Sequence, residues 1–230
     1  MSFALIFLTF PVYAEYQAGD HELFLMPTAY TMPKGSSYFT DYEVAIINYT
    51  YALTSRTHIG VFSFFPINKD VLETTTLGIK QNYYSSENTG CAFWSAYIPK
   101  SRVLNLGNVL SLGKKNKSFH FAVSVTHFFK DFDIIDSADT STVYSDTKTV
   151  KKWAYTCTAG YRKDLSEKIS LIAEYSYVFA PEEGEDADFL AVGPRFRTKK
   201  IDWDIAAARP IIHDAPGLIV FPVLKATIIF

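Results

Sequence analysis

The chain is short of cysteine, of long apolar runs and of net charge, and each shortage excludes a class of protein. Only Cys91 and Cys157 occur in 230 residues. Two thiols so far apart have no metal-ligand spacing and make no disulfide framework. They are expected as free thiols, packed or facing a membrane. No stretch reaches the roughly 18 consecutive apolar residues that a transmembrane helix needs. The formal net charge is −2, so the chain lacks the basic excess by which proteins hold nucleic acid. No Gly-rich phosphate loop or zinc spacing is present, and no cofactor is expected. The acidic stretches at 131–146 and 182–186 lack the ligand spacing of a calcium loop and read as solvated, self-repelling loops.

What is abundant is strand-forming. Hydrophobic residues make up 48% and aromatic residues 16%, led by 19 Phe and 15 Tyr. Both favour strands. The charged fraction of 20% is too low for a disordered chain. The first residues stand apart. Ser2 to Ala14 is a short apolar run ending in Val12-Tyr-Ala14, which has the form of a secretory h-region and its cleavage site. Its positive n-region is missing, so the recorded start lies downstream of the true one or the signal is atypical. The expected division is a signal at 1–14, a periplasmic lead at 15–22 and one β-domain at 23–230.

From residue 23 onward the pattern is alternation with period two, the mark of strands. Expected strands are Leu23–Tyr30, a long stretch Ser36–Leu53 with a bulge near Ile46-Ile47, and then His58–Ile67, Glu73–Tyr83, Cys91–Ile98 and Val103–Leu112. Ser118–Phe129, Lys152–Arg162, Lys168–Phe179, Asp188–Arg197, Ile201–Arg209 and the closing stretch to Phe230 follow. That is about twelve. A hairpin unit recurs: Tyr51-Ala-Leu-Thr-Ser-Arg-Thr-His-Ile59, Tyr161-Arg-Lys-Asp-Leu-Ser-Glu-Lys-Ile169 and Phe196-Arg-Thr-Lys-Lys-Ile201. Each is an aromatic-bearing strand, a short polar turn and a strand opening on Ile. The connections near 54, 87, 115, 165 and 199 are short. Those at 68–70, 130–150, 181–186 and 213–217 fall on the opposite side, and some are long or acidic.

In the closing stretch, Phe230, Ile228, Ala226, Leu224, Pro222, Val220 and Leu218 share one wholly apolar face. This strand, ending on an aromatic residue, resembles the closing strand of a bacterial outer-membrane β-barrel. In that class Leu224, Ala226, Ile228 and Phe230 would be the signal read by the barrel-assembly machinery. Met26-Pro-Thr-Ala-Tyr-Thr-Met-Pro-Lys-Gly35 through Phe62-Ser-Phe-Phe-Pro66 is also similar to uncharacterised outer-membrane barrels of the Bacteroidetes type, a likeness that brings no catalytic residue. The implied fold is an all-β, antiparallel up-and-down transmembrane barrel of about 12 strands in the bacterial outer membrane, with lipid around it. In such a barrel the apolar face meets lipid and the other face lines the inside.

The inward faces mix small residues with Lys80, Lys152, Glu174, Arg195, Arg197, Asp202, Asp204 and Lys225. Two readings stand for these charges. Lys80, Arg195, Arg197 and Lys225 form a basic patch that selects permeant ions, or they pair with Glu174, Asp202 and Asp204 and fill the interior. Arg195 and Asp204 fall on adjacent strands and suit pairing. Enzymatic alternatives are weak. Outer-membrane lipases need a Ser near a His on one strand, but Ser124 lies four residues from His120, roughly 13 Å along a strand. A rim protease would have only His213-Asp214 to work with. The expected function is therefore a pore for small polar solutes or ions. A closed structural or surface-interaction barrel is the alternative, and a soluble secreted β-protein the third.

Overall fold

The structure, a computed structural model, describes residues 18–43, 46–64, 74–129, 153–180, 187–211 and 220–230. Twelve strands follow one another: β1 (Ser37–Tyr42), β2 (Ile46–Ala52), β3 (Thr57–Phe64), β4 (Thr76–Ser85), β5 (Thr89–Ile98), β6 (Val103–Lys114), β7 (Lys117–Phe128), β8 (Trp153–Asp164), β9 (Ile169–Phe179), β10 (Ala187–Arg197), β11 (Ile201–Ile211) and β12 (Phe221–Ile229). Each pairs antiparallel with the next, and β1 pairs with β12, so the sheet closes into a barrel. At the seam Tyr38 faces Ile229 and Thr40 faces Thr227 in register. Closure leaves no edge strand to be satisfied by anything else.

The barrel has two unlike ends. Short turns after β2, β4, β6, β8 and β10 gather at one end, where β1 begins and β12 finishes. The recurring hairpin unit has a simple basis here. A hydroxyl at the first turn position captures the amide three residues on: Thr54 Oγ1 accepts from Thr57 N (2.9 Å), Ser166 Oγ from Ile169 N (3.1 Å) and Thr198 Oγ1 from Ile201 N (3.0 Å). The strand ends that the longer connections join, among them those of β7 and β8 and of β11 and β12, lie at the other end. The expected loops at 68–70, 130–150, 181–186 and 213–217 fall outside the described residues.

Two expected elements differ from the structure, and their errors cancel in the count. Leu23–Tyr30 is not a strand; it lies inside the barrel. The stretch 36–53 is not one bulged strand but the hairpin β1–β2, reversing at Glu43, whose φ of 56° puts it in the left-handed region. The phase change near Ile46-Ile47 was the mark of a turn. Ala18–Glu22, expected as part of a periplasmic lead, sits in the short-turn mouth of the barrel.

The alternation predicted for the strands holds in space. On β8, Trp153 and Tyr155 are exposed while Gly160 and Arg162 are buried. On β4, Leu77 and Ile79 are exposed, and Lys80 and Asn82 buried. Phe121, Val123, Ile205 and Leu224 belong to an apolar outer surface to which every strand from β2 to β12 contributes exposed side chains. So large an apolar surface suits hydrocarbon rather than water. Cys91 and Cys157 are free and sit on this outer side.

Val123, 58% exposed and midway along β7, tests the assignment of faces. Val123→Arg is expected to lower the free energy of unfolding from lipid vesicles by about 2–4 kcal/mol, measured by reversible urea titration. Unchanged stability with correct insertion would remove this face from the lipid.

Candidate functional site

The lumen is occupied by the chain's own N-terminal segment. A 3-10 helix, Ala18–His21, leads into a hairpin closed by a bridge between Glu22 and Pro27. Thr28 N donates to His21 O (3.0 Å), and Leu23 N donates to Met26 O (2.9 Å) across its tip. The segment then returns to β1. An irregular backbone at membrane depth is tolerable only when protein satisfies its polar groups. Here the wall does so, chiefly with charges.

Glu174 on β9 takes three amides at the tip. Its Oε2 accepts from Phe24 N (3.1 Å), Leu25 N (3.0 Å) and Met26 N (3.1 Å). Arg195 on β10 is fully buried. It makes a two-point bond to Asp204 on β11, Nε to Oδ1 at 2.5 Å and Nη2 to Oδ2 at 2.7 Å, and donates to the carbonyls of Gly19, Glu22 and Leu23. Lys225 on β12 donates to the carbonyls of Leu23 and Phe24 and pairs with Glu22 at 3.0 Å and Asp204 at 3.4 Å. Lys80 on β4 takes the carbonyls of His21 (3.2 Å), Thr28 (3.2 Å) and Tyr30 (2.8 Å). Asp202 accepts from Gly19 N at 2.7 Å. These contacts join cations to carbonyls and carboxylates to amides: Lys80, Glu174 and Asp202 are compensated by backbone dipoles, Asp204 by its ionic partners, and Arg195 and Lys225 by both.

Apolar packing completes the seat. Leu23, Phe24, Met26 and Ala29 are buried against Ala92, Val109, Ala122, Ile172 and Ala206 on the wall. A side chain at Gly160 would overlap Leu23, so this glycine makes the hollow that the hairpin fills. Nearer the short turns, Asn82 Nδ2 donates to Ala29 O (2.7 Å), Ser111 Oγ accepts from Ala29 N (2.9 Å), and His58 Nε2 accepts from Met32 N (2.9 Å).

Of the expected lumen charges, Lys80, Glu174, Arg195, Asp202, Asp204 and Lys225 therefore converge on one task. Arg197 does not join them; it forms a fork with Asp164 at 2.9 Å on both nitrogens, bracing the wall at the short-turn end. Lys152 lies outside the described residues, as do His213 and Asp214. The expected pairing of Arg195 with Asp204 is present. Of the basic patch, Lys80, Arg195 and Lys225 are covered by carbonyls of the N-terminal segment. Leu224 and Phe230 are exposed on the outer face, with Ala226 and Ile228 between them partly so.

Sequence reading missed the hairpin's own side of the site. Asp20 pairs with Arg162 at 2.6 Å and with Lys115 at 3.3 Å, and Glu22 also accepts from Tyr42 Oη at 3.1 Å. The polar run Asp20-His-Glu22 looked like a solvated lead, although Arg162 already stood at an inward position on its strand. His120 is held by Ser111 Oγ at Nδ1 (2.8 Å) and Ser118 Oγ at Nε2 (2.9 Å), buried beneath the hairpin. Ser124 is elsewhere engaged, accepting from Asn105 at 3.3 Å.

Beside and beyond the hairpin tip, the described residues leave hollows in the lumen. One cavity of about 360 Å³ runs from the tip to β2–β5, and a second of about 240 Å³ lies toward β7–β9. Leu25, Pro27 and Trp94 border both.

No family model matches the sequence, and no curated protein does. Among solved structures, an outer-membrane channel from Pseudomonas putida F1 is similar over 94% of this chain and 100% of that one, with a TM-score of 0.58 and 12% identity. The NanC porin is similar over 84% of this chain and 97% of that one, with a TM-score of 0.54 and 7% identity. The fold is thus that of bacterial outer-membrane channel barrels.

Glu174→Ala would leave the three tip amides without an acceptor. Hydrogen exchange at Phe24, Leu25 and Met26 is expected to accelerate about a hundredfold, equivalent to roughly 3 kcal/mol of lost protection. Exchange rates like those of the unaltered protein would show that the carboxylate does not hold the tip.

Proposed function

We propose that this chain is an outer-membrane channel for small polar solutes, shut at its short-turn mouth by the N-terminal hairpin and opened when the hairpin withdraws. The observation that carries the reading is a closed barrel with an apolar exterior, whose described residues leave cavities at the tip of a segment of the same chain that fills the short-turn half. A barrel serving only as a rigid surface scaffold has no need of such a cavity. The hairpin is joined to the wall by hydrogen bonds, ion pairs and packing, with no strand pairing to β1–β12, so it can leave without breaking the ring. Two solved barrels of similar fold are described as a channel and a porin, which fits this reading. The short-turn side, where β1 begins and β12 finishes, is taken as the periplasmic one, since short periplasmic turns are the rule for such barrels. The apolar face ending in Leu224, Ala226, Ile228 and Phe230 is then offered to the assembly machinery as the seam with β1 forms.

A disulfide tests the gate. A Cβ at Gly90 would lie 3.1 Å from the Cβ of Ala29 on the hairpin, within a few tenths of an ångström of disulfide spacing. Ala29→Cys with Gly90→Cys, in a chain also carrying Cys91→Ser and Cys157→Ser, is expected to be silent in planar bilayers when oxidised and to show discrete openings after reduction. Equal conductance in the two states would overturn the gate. Silence of the reduced and the unaltered protein, once insertion is shown, would instead support a closed structural barrel.

A further inference from the structure

We infer that the hollow beyond the hairpin is a binding site for a neutral polyhydroxylated solute of sugar size, with Trp94 as its platform. This names the solute class for the channel proposed above and rests on that reading for its biological route, but the site itself is present with the hairpin in place.

The acidic and basic side chains bordering the two cavities are Glu22, Lys80 and Glu174, all three engaged, with two histidines, His21 against Glu22 and His58, whose Nε2 accepts from Met32 N. Glu22 has Lys225 and Tyr42, Lys80 has three carbonyls, and Glu174 has three amides. An anionic or cationic solute entering here would lose hydration and find no free counter-charge among them, a costly exchange. Much of the other polar lining is hydroxyl or amide, including Asn48, Thr50 and Thr76 on one side and Thr156, Thr158 and Ser176 on the other. Hydroxyls and amides both donate and accept, which matches a solute carrying many hydroxyls.

The platform is built rather than incidental. Trp94 projects inward from β5 and borders both cavities. Its Nε1 donates to Asn105 Oδ1 at 2.9 Å, and Asn105 Nδ2 in turn donates to Thr126 Oγ1 at 2.9 Å and to Ser124 Oγ at 3.3 Å. Gly107, opposite Trp94 on β6, has no side chain, and a Cβ there would overlap the indole ring. The ring therefore lies against the wall, fixed at its edge. A sugar offers such a ring an apolar C–H face while its hydroxyls reach the surrounding side chains. Sites for small molecules commonly combine an apolar surface with a few placed polar groups in this way. Leu25 and Pro27 at the hairpin tip floor the site, so the gate and the ligand touch.

The test uses intrinsic fluorescence of the full chain in detergent. Trp153 and Trp203, both on the outer face, are replaced (Trp153→Phe, Trp203→Phe) so that Trp94 reports alone. Glucose, N-acetylglucosamine and maltose are titrated against glucuronate, glucosamine and phenol. A saturable shift with at least one neutral sugar is expected, with glucuronate and glucosamine weaker by about tenfold or more. Asn105→Ala and Gly107→Ala, which free or displace the indole, are expected to weaken sugar binding by a similar factor while the barrel remains folded. The proposal is overturned if charged sugars bind as well as neutral ones, if phenol alone binds, or if nothing saturates. Sugar binding by a protein that never conducts would sink the channel and leave the site. Conductance without binding would do the reverse.

Discussion

The structure depends on a single exchange between two costs. A run of irregular backbone inside a barrel must have its amides and carbonyls satisfied, because no bulk water does so at that depth. A charged side chain pointing into the same space must be paired, because an isolated buried ion is more costly still. Each requirement is met by the other. Glu174 is surrounded by the amides of Phe24, Leu25 and Met26, while Arg195, Lys225 and Lys80 gather carbonyls from Gly19 to Tyr30. Remove the hairpin and the charges face an empty lumen; remove the charges and the hairpin has a buried backbone with no partners. Asp204, bonded to Arg195 and close to Lys225, keeps the two main cations in place for this work.

This exchange divides the lumen into two chemistries. The half toward the short turns carries the ions, and they are turned toward the chain's own backbone. The half beyond the tip is lined by hydroxyls, amides, small residues and one fixed indole. Selectivity for a permeant is usually sought in rings of lumen charge. In the channel proposed here the ionic ring would be the latch, and discrimination would fall to the half beyond the tip. The wall ions are also close to balanced, with Lys80, Arg162, Arg195, Arg197 and Lys225 against Asp164, Glu174, Asp202 and Asp204. A lumen vacated by the hairpin would then carry little net field.

Much of the barrel was legible because alternation is imposed residue by residue. A strand between lipid and lumen must change polarity at every step, so β7 to β12 declare their faces without help from neighbours. The terminal apolar face, the short turns and the pairing of Arg195 with Asp204 follow from the same period. Leu23–Tyr30 misled because its apolar residues pack against the lumen wall, and an apolar run looks alike whichever surface it meets. Pro27 within it was a signal against a strand with neighbours on both sides. The β1–β2 reversal was hidden because Glu43 adopts positive φ without the glycine or asparagine that usually marks one. The role of the lumen charges stayed open for a deeper reason: their partners are mostly backbone groups, which have no letter in a sequence.

That last point bears on how the hairpin is specified. A latch made of side-chain pairs would fix the identity of residues on both partners. A latch made of wall charges and hairpin backbone fixes the wall and the path of the chain, and leaves hairpin side chains constrained mainly by volume. Leu23 must fit the hollow at Gly160, and Phe24 and Met26 must fill the space between β5 and β11, but any apolar residue of similar shape meets the same amide and carbonyl positions. The exceptions are Asp20 and Glu22, whose carboxylates answer Arg162 and Lys225. They stand at the entry and the neck of the hairpin, where withdrawal would begin. When water follows the departing segment, both carboxylates and the cations they leave are rehydrated together, so the cost of opening falls as the lumen fills. A seat held by ions that water can reclaim is in that respect better suited to release than one held by apolar packing alone.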